Sequence, residues 1–271
     1  MIKRIAEAQC RKQVGNIINL SLMRVLKKIS GFVFLIAFVA ILSNGCKDDK
    51  TAPVEVDDSI VNFNPDILYG TVTDQDGNEY KTVTIGTQTW MAENLRTTKY
   101  RNGEAIPEIQ DSMAWVKSTL KTGAYCNYNN TANDAEIKMY GRLYNWYAAV
   151  DIKNLAPEGW HVADTLDWNI LIKQLESATL AGGKLKETGL AHWKITNTGA
   201  TNETGFTALP AGYRKSTGGS FSSIGSSCVF WTKAKKNTTE AFGYNILNEG
   251  SGCYQVKYKY KFGFSVRCVK D

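Results

Sequence analysis

Residues 157–175 read PEGWHVADTLDWNILIKQL, a Gly-Trp approach leading through an acidic turn into an amphipathic run. Trp168, Leu171, Ile172 and Leu175 recur at i, i+3, i+4 and i+7, so one helical stripe carries these large apolar groups and must be buried. Asp164 stands where an N-cap side chain accepts from the free amides of the first turn. Asp167, at the third helical position, can reach back to close a capping box, and its charge suits the helix dipole. The helix is therefore expected to start at Thr165.

Downstream, Gly182-Gly183 is expected to end this helical stretch, with a shorter segment over 184–190. After Ala200 the chain reads as short strands between Gly/Ser turns. Tyr254, Val256, Tyr258, Tyr260 and Phe262 alternate with Gln255, Lys257, Lys259 and Lys261, which gives one apolar and one basic face. Upstream, Trp146 and Ala149 share a face of a helix-compatible run over 143–150, and a further short helical segment fits 113–120. Strand-like alternation on either side of Asp76-Gly77-Asn78 reads as a hairpin. Asp74, Asp76 and Asn78 have the spacing that opens a calcium loop, but no Glu follows at the closing position and the flanks are strands, so no calcium is expected. Helices early and strands late predict an α+β domain over 69–271, long enough for a single sizeable core.

The N-terminal segment has a different character. GFVFLIAFVAIL (31–42) is preceded by Arg24, Lys27 and Lys28 and followed by Ser43-Asn44-Gly45-Cys46. A basic region, an apolar run too short for a stable span, and small residues before a cleavage point describe an export signal; an uncleaved anchor is the competing reading. Gly45-Cys46 resembles the lipobox of bacterial lipoproteins and marks Cys46 as the fatty-acylation site. Residues 1–45 form the leader, with Met23 a better-placed initiator than Met1, and 46–68 read as a flexible tether. An acidic pair at Asp48-Asp49, directly after the lipid site, fits display on the outer face of an outer membrane, although an ordinary linker would look the same. The leader holds seven Lys and Arg against one Glu, and the remainder balances 25 against 25, so no general attraction to nucleic acid is expected.

Cys126, Cys228, Cys253 and Cys268 remain in the exported part, an even number that suggests two disulfides with any of three connectivities. Their spacing matches no zinc pattern. His161 and His192 are the only histidines, and with no Ser/His/Asp order, no His-Glu-x-x-His and no phosphate-binding glycine loop, neither catalysis nor a cofactor or metal is expected. His161 is expected to pack or bond locally. A binding surface is expected over 212–252, where loops on a rigid scaffold carry Tyr213, Arg214, Trp231 and Tyr244 among lysines, a mixture suited to sugar rings or acidic groups. Tyr213 and Arg214 are the preferred exposed candidates, and Trp231 competes for a place in the core.

TDQDGNEYKTVTIGTQTWMAENL, YGRLYNWYAA, PEGWHVADTLDW, GFTALPAGYR, FWT and GFSVRCVKD, in that order over 69–271, together resemble the Fibrobacter-succinogenes-type major paralogous domain of exported and lipid-anchored bacterial proteins. The resemblance implies a variant of the C-type-lectin-like fold shared with formylglycine-generating enzymes, with two main helices packed on a small antiparallel sheet and long irregular loops. Relatives carry Cys before the Pro of the PEGW motif, where this chain has Ala156. The resemblance therefore implies that Cys268 has lost its usual partner, and the expected pairs become Cys126 with Cys268 and Cys228 with Cys253. The expected protein is a surface-exposed outer-membrane lipoprotein, held to the membrane by its acyl chains. Its exported part is expected to be a non-catalytic binding or adhesion module for a glycan or cell-surface protein. A self-assembling structural subunit and a divergent copper oxidase are the alternatives.

Overall fold

The computed structural model describes residues 61–117 and 121–271. The leader, Cys46 and the tether up to Ile60 lie outside the described residues. Among the described residues no helix is long and apolar enough to cross a membrane.

The helix expected at Thr165 forms over Thr165–Gln174 with the capping box intact. The Asp164 carboxylate accepts from the Thr165 amide at 2.5 Å, and the Asp164 amide donates to Asp167 Oδ2 at 2.7 Å. Trp168 and Leu171 are fully buried and Leu175 nearly so, while Ile172 is only half-buried at the margin of the stripe. The Trp168 ring stacks on Tyr244 and Phe230, with centroids at 4.8 and 5.4 Å, and meets Trp90 edge-on at 5.1 Å. Those partners belong to two different sheets, so this side chain joins the layers; truncating such a group to Ala typically costs about 3–5 kcal/mol.

The first sheet contains β1 (Gly70–Thr73), β2 (Glu79–Ile85), β3 (Gln88–Met91), β6 (Trp160–Val162) and β12 (Cys268–Lys270) in the order β1-β2-β3-β12-β6. The β1–β2 turn uses Asp74 structurally. Asp74 Oδ1 accepts from the amides of Asp76 and Asn78, each at 2.9 Å, and Asp74 Oδ2 accepts from the Tyr80 hydroxyl at 2.6 Å. The second sheet contains β7 (Ala211–Arg214), β8 (Phe221–Ile224), β9 (Ser227–Lys235), β10 (Glu240–Leu247) and β11 (Cys253–Lys259) in the order β11-β10-β9-β7-β8. β4 (Tyr125–Cys126) and β5 (Leu143–Tyr144) form a two-stranded ribbon. The segment Gly263-Phe264-Ser265 bridges to Arg214, Tyr144 and Phe230 before the chain enters the first sheet as β12.

The helices are α1 (Ser112–Val116), α2 (Asp134–Tyr140), α3 (Trp146–Ala149), α4 (Thr165–Gln174) and α5 (Ala178–Leu185). The α+β class stands, but the expectation of two main helices on one small sheet gives way to several short helices and two five-stranded sheets. The cause is non-local: β12 pairs with strands far earlier in the chain, and no local pattern encodes that pairing.

Gly182-Gly183 does not break the helix but lies inside α5. A Cβ on Gly182 would meet the Gly252 carbonyl oxygen at 2.1 Å, and one on Gly183 would meet the Gly199 carbonyl oxygen at 2.3 Å. The glycines let two loop backbones lie directly on the helix, and the Gly183 amide donates to the Ser251 carbonyl at 2.8 Å. The tether is also shorter than expected. The Asn62 amide donates to Glu187 Oε1 at 2.7 Å, and Phe63 and Ile67 pack on the cluster around Trp168. The ordered body therefore includes residues 61–68.

Neither expected disulfide forms; all the described cysteines are buried free thiols. Cys228 and Cys253 both pair with Ile246, from opposite sides. Two inter-strand steps place their Cα atoms roughly 9–10 Å apart, beyond the 4.4–6.8 Å or so that a disulfide spans. Cys126 lies opposite Leu143 in the ribbon, beside Trp115, whereas Cys268 lies opposite Val162 in the first sheet. Burial pushes the Cys126 and Cys228 thiols up to about 12. Cys228 and Cys253 thus lie two strands apart as buried thiols, on either side of Ile246.

Candidate binding groove

Three of the expected contact residues lie in the interior. Arg214 is fully buried between Trp115 and Phe221, 4.6 and 4.9 Å from their ring centres. Its guanidinium donates to the carbonyls of Gly219 at 2.8 Å, Gln110 at 2.7 Å and Ile109. Trp231 is fully buried and donates to the Tyr144 carbonyl at 2.9 Å. Tyr244 is buried against Trp168, with its hydroxyl 3.0 Å from Asn169 Oδ1. Tyr213 is half-buried, edge-on to Phe262 and Phe264. The exposed role expected for Arg214 is thus corrected. Irregular loops leave carbonyls without partners, and a guanidinium carries enough donors to satisfy several at once.

Lys186 and Arg267 do the same work elsewhere. Lys186 Nζ donates to the carbonyls of Thr198, Leu247 and Gly250 at 2.9, 3.1 and 2.9 Å, and burial lowers its pKa to about 8. Arg267 donates to Asn94 Oδ1 and to the carbonyls of Met91, Phe206 and Thr207, and burial lowers it to about 9. All these cations hold the frame rather than face a ligand.

His161 lies between Asp271, at 2.7 Å, and the capping residue Asp167, at 3.1 Å. One of these contacts is local, as expected, and the other ties the chain's last residue to the start of α4. His192 Nδ1 lies 2.7 Å from Glu187 Oε2, and both side chains are sealed from solvent. No group of three or more His, Cys, Asp or Glu side chains suited to a metal occurs among the described residues.

The surface offers a different site. A groove of about 540 Å3 is lined by Lys121, Tyr147, Ser216, Thr217, Thr238, Thr239, Lys259, Tyr260 and Lys261. Tyr147 projects from α3, whose N-cap Asn145 accepts from the Ala148 amide at 3.0 Å. The Tyr260 ring is stacked on Trp146 at 4.0 Å and meets Tyr147 edge-on at 5.5 Å, and its hydroxyl donates to the Asn237 carbonyl. That contact anchors the β9–β10 turn, in which Asn237 Oδ1 accepts from the amides of Thr239 and Glu240, each at 2.8 Å, and presents Thr238 and Thr239. Lys261 Nζ donates to the carbonyls of Lys117 at 2.5 Å and Val116 at 3.2 Å, and burial lowers its pKa. The groove thus combines two aromatic side chains with hydroxyl and ammonium groups, and among the described residues no carboxylate lines it.

Only part of this was expected. Ser216, Thr217, Thr238 and Thr239 lie within the 212–252 region, and Lys259 and Lys261 belong to the basic stripe read from the alternation. Lys121 and Tyr147 come from distant segments and carry no local signal. Two further grooves, of about 590 and 520 Å3, share Arg96 and Lys138 beside β2 and α2. Within them Arg96 pairs with Glu93 at 3.3 Å, and Asp76 pairs with Lys99, which lies outside the lining, at 3.2 Å.

Comparison with known proteins finds that the family model described as the Fibrobacter succinogenes major domain matches residues 83–270. No curated protein and no solved structure matches the chain.

Proposed function

The chain belongs to the Fibrobacter succinogenes major domain family, and from that premise we propose that it is an envelope lipoprotein, acylated at Cys46 and displayed on the outer membrane. In this reading its globular part is a non-catalytic binding or adhesion module with a C-type-lectin-like arrangement, and its ligand is a glycan or cell-surface polymer. The observation that carries the binding role is the groove at Tyr147: aromatic side chains and threonine hydroxyls lining one groove are the chemistry that stacks on and hydrogen-bonds a sugar ring. Glycan-array binding by the full-length protein in detergent tests the reading. Retention of at least one glycan by the native protein and its loss in Tyr147→Ser is expected; indistinguishable profiles for the two would overturn the assignment. Mass spectrometry of the mature protein should find acyl chains on Cys46, and an unmodified N-terminus would remove the anchor.

A self-assembling surface subunit is favoured by one specific feature. β11 is an edge strand, and it exposes Tyr254 and Val256 at 51% and 37%. Such an edge is a template for strand pairing unless its lysines prevent it. Sedimentation of the purified protein decides between the two: large assemblies support the subunit, and a monomer that binds glycan supports the module.

A further inference from the structure

We propose that the groove at Tyr147 is selective for acidic polysaccharides, with a carboxylate or sulfate seated among Lys121, Lys259 and Lys261 while the sugar ring lies against Tyr147. The proposal rests on the binding-module reading and adds the charge class of the ligand. Among the described residues none of the three lysines forms an ion pair. Neither Lys121 nor Lys259 has an ion-pair partner among the described residues, and Lys261 spends two of its donors on backbone carbonyls, which leaves its charge unneutralised. The nearest carboxylate on the adjoining strand is Glu240, opposite Lys259, and it accepts from Asn237 Nδ2 at 2.8 Å at the base of the turn. A neutral sugar makes no use of these three ammonium groups, whereas an anionic one gains charge-assisted hydrogen bonds from them.

The cations are all lysines, and this sets the form of the selectivity. An ammonium is a compact point charge without the planar fork by which Arg matches a particular oxyanion. The groove should therefore read charge rather than the geometry of the acid group, so carboxylated and sulfated polymers both bind. Binding should also weaken as salt screens the exposed ammonium groups.

The test measures binding of the full-length protein in detergent to dextran, carboxymethyl-dextran, dextran sulfate and polygalacturonate, at low salt and at about 0.15 M. Expected is preference for the acidic polymers over dextran by about tenfold or more, reduced by salt, and a similar loss in Lys121→Gln/Lys259→Gln. Lys173→Gln/Lys270→Gln, which removes the same charge from residues that do not line the groove, should bind like the native protein. Lys261 is left intact because it also holds the carbonyls at the end of α1. Equal binding of dextran and the acidic polymers, or an equal loss in both double variants, overturns the acidic selectivity and leaves the binding module standing. No binding to any polysaccharide, here or on the array, overturns both.

Discussion

Replacing Gly182 by Ala sets two effects of opposite sign against each other. In an exposed helix the change stabilises by about 0.8–1 kcal/mol, because Ala gives up less backbone freedom. In α5, however, the added methyl would lie 2.1 Å from the Gly252 carbonyl oxygen and 2.5 Å from its carbon. Relief to 3.0 Å, a separation that real Cβ atoms keep, requires a backbone displacement of 0.9 Å. The obstructing atoms are backbone on both sides, and the Gly183 amide is bonded to Ser251 next to them, so no side-chain rotation absorbs the strain. Overpacking costs about 1–3 kcal/mol, and a clash of backbone on backbone belongs at the upper end, which leaves a net loss of about 2 kcal/mol after the helical gain. Urea unfolding followed by tryptophan fluorescence should therefore show a lower midpoint with an unchanged slope, by roughly 1 M for a slope near 2 kcal/mol/M. Thr179→Ala, at an exposed position in the same helix, should change stability by less than about 0.5 kcal/mol. A Gly182→Ala protein as stable as the native one, or more so, would refute the view that these glycines exist for close backbone approach.

Glu187→Ala removes both the partner of His192 and the acceptor of the Asn62 amide, and should destabilise by about 1–3 kcal/mol. Hydrogen exchange at Asn62 and Phe63 should accelerate in that variant beyond the global loss. The described cysteines should resist a thiol reagent at pH 8 in the folded protein, because burial raises their pKa values, and react in urea without prior reduction; a requirement for reductant would restore the disulfides. Lys186→Met strands the carbonyls of Thr198, Leu247 and Gly250 and should cost about 1–3 kcal/mol near neutral pH. The folded-state pKa of Lys186 near 8 lies below the 10.5 of a free lysine, so between these values the unfolded chain binds the extra proton. The stability of the native protein relative to Lys186→Met should therefore rise as pH climbs from 8 to 10.5, and a falling difference across that range would contradict the assignment.

What could be read in advance was local. The stripe of Trp168, Leu171 and Leu175 and the acids at 164 and 167 specify α4 because spacing and cap chemistry act within a few residues. The hairpin at Asp76-Gly77-Asn78 is legible for the same reason. Arg214 was misplaced because a charged side chain is normally exposed, and only the loop carbonyls brought to it by folding, those of Ile109 and Gln110 among them, reverse that preference. Gly182-Gly183 resembles a helix break until the loops at 199 and 252 are known to lie on it. The cysteine pairing failed on register, since a single intervening strand separates Cys228 from Cys253. Of the groove, the lysine stripe was visible as alternation, but its junction with Tyr147 and Lys121 exists only in three dimensions.

The path through residues 263–270 bears on how the domain closes. Gly263-Phe264-Ser265 bridges the ribbon and the second sheet, and β12 fills the gap between β3 and β6. This one stretch therefore completes both layers, and a polypeptide lacking it can finish neither. Deleting residues 263–270 should yield a product that never closes and is cleared by proteases.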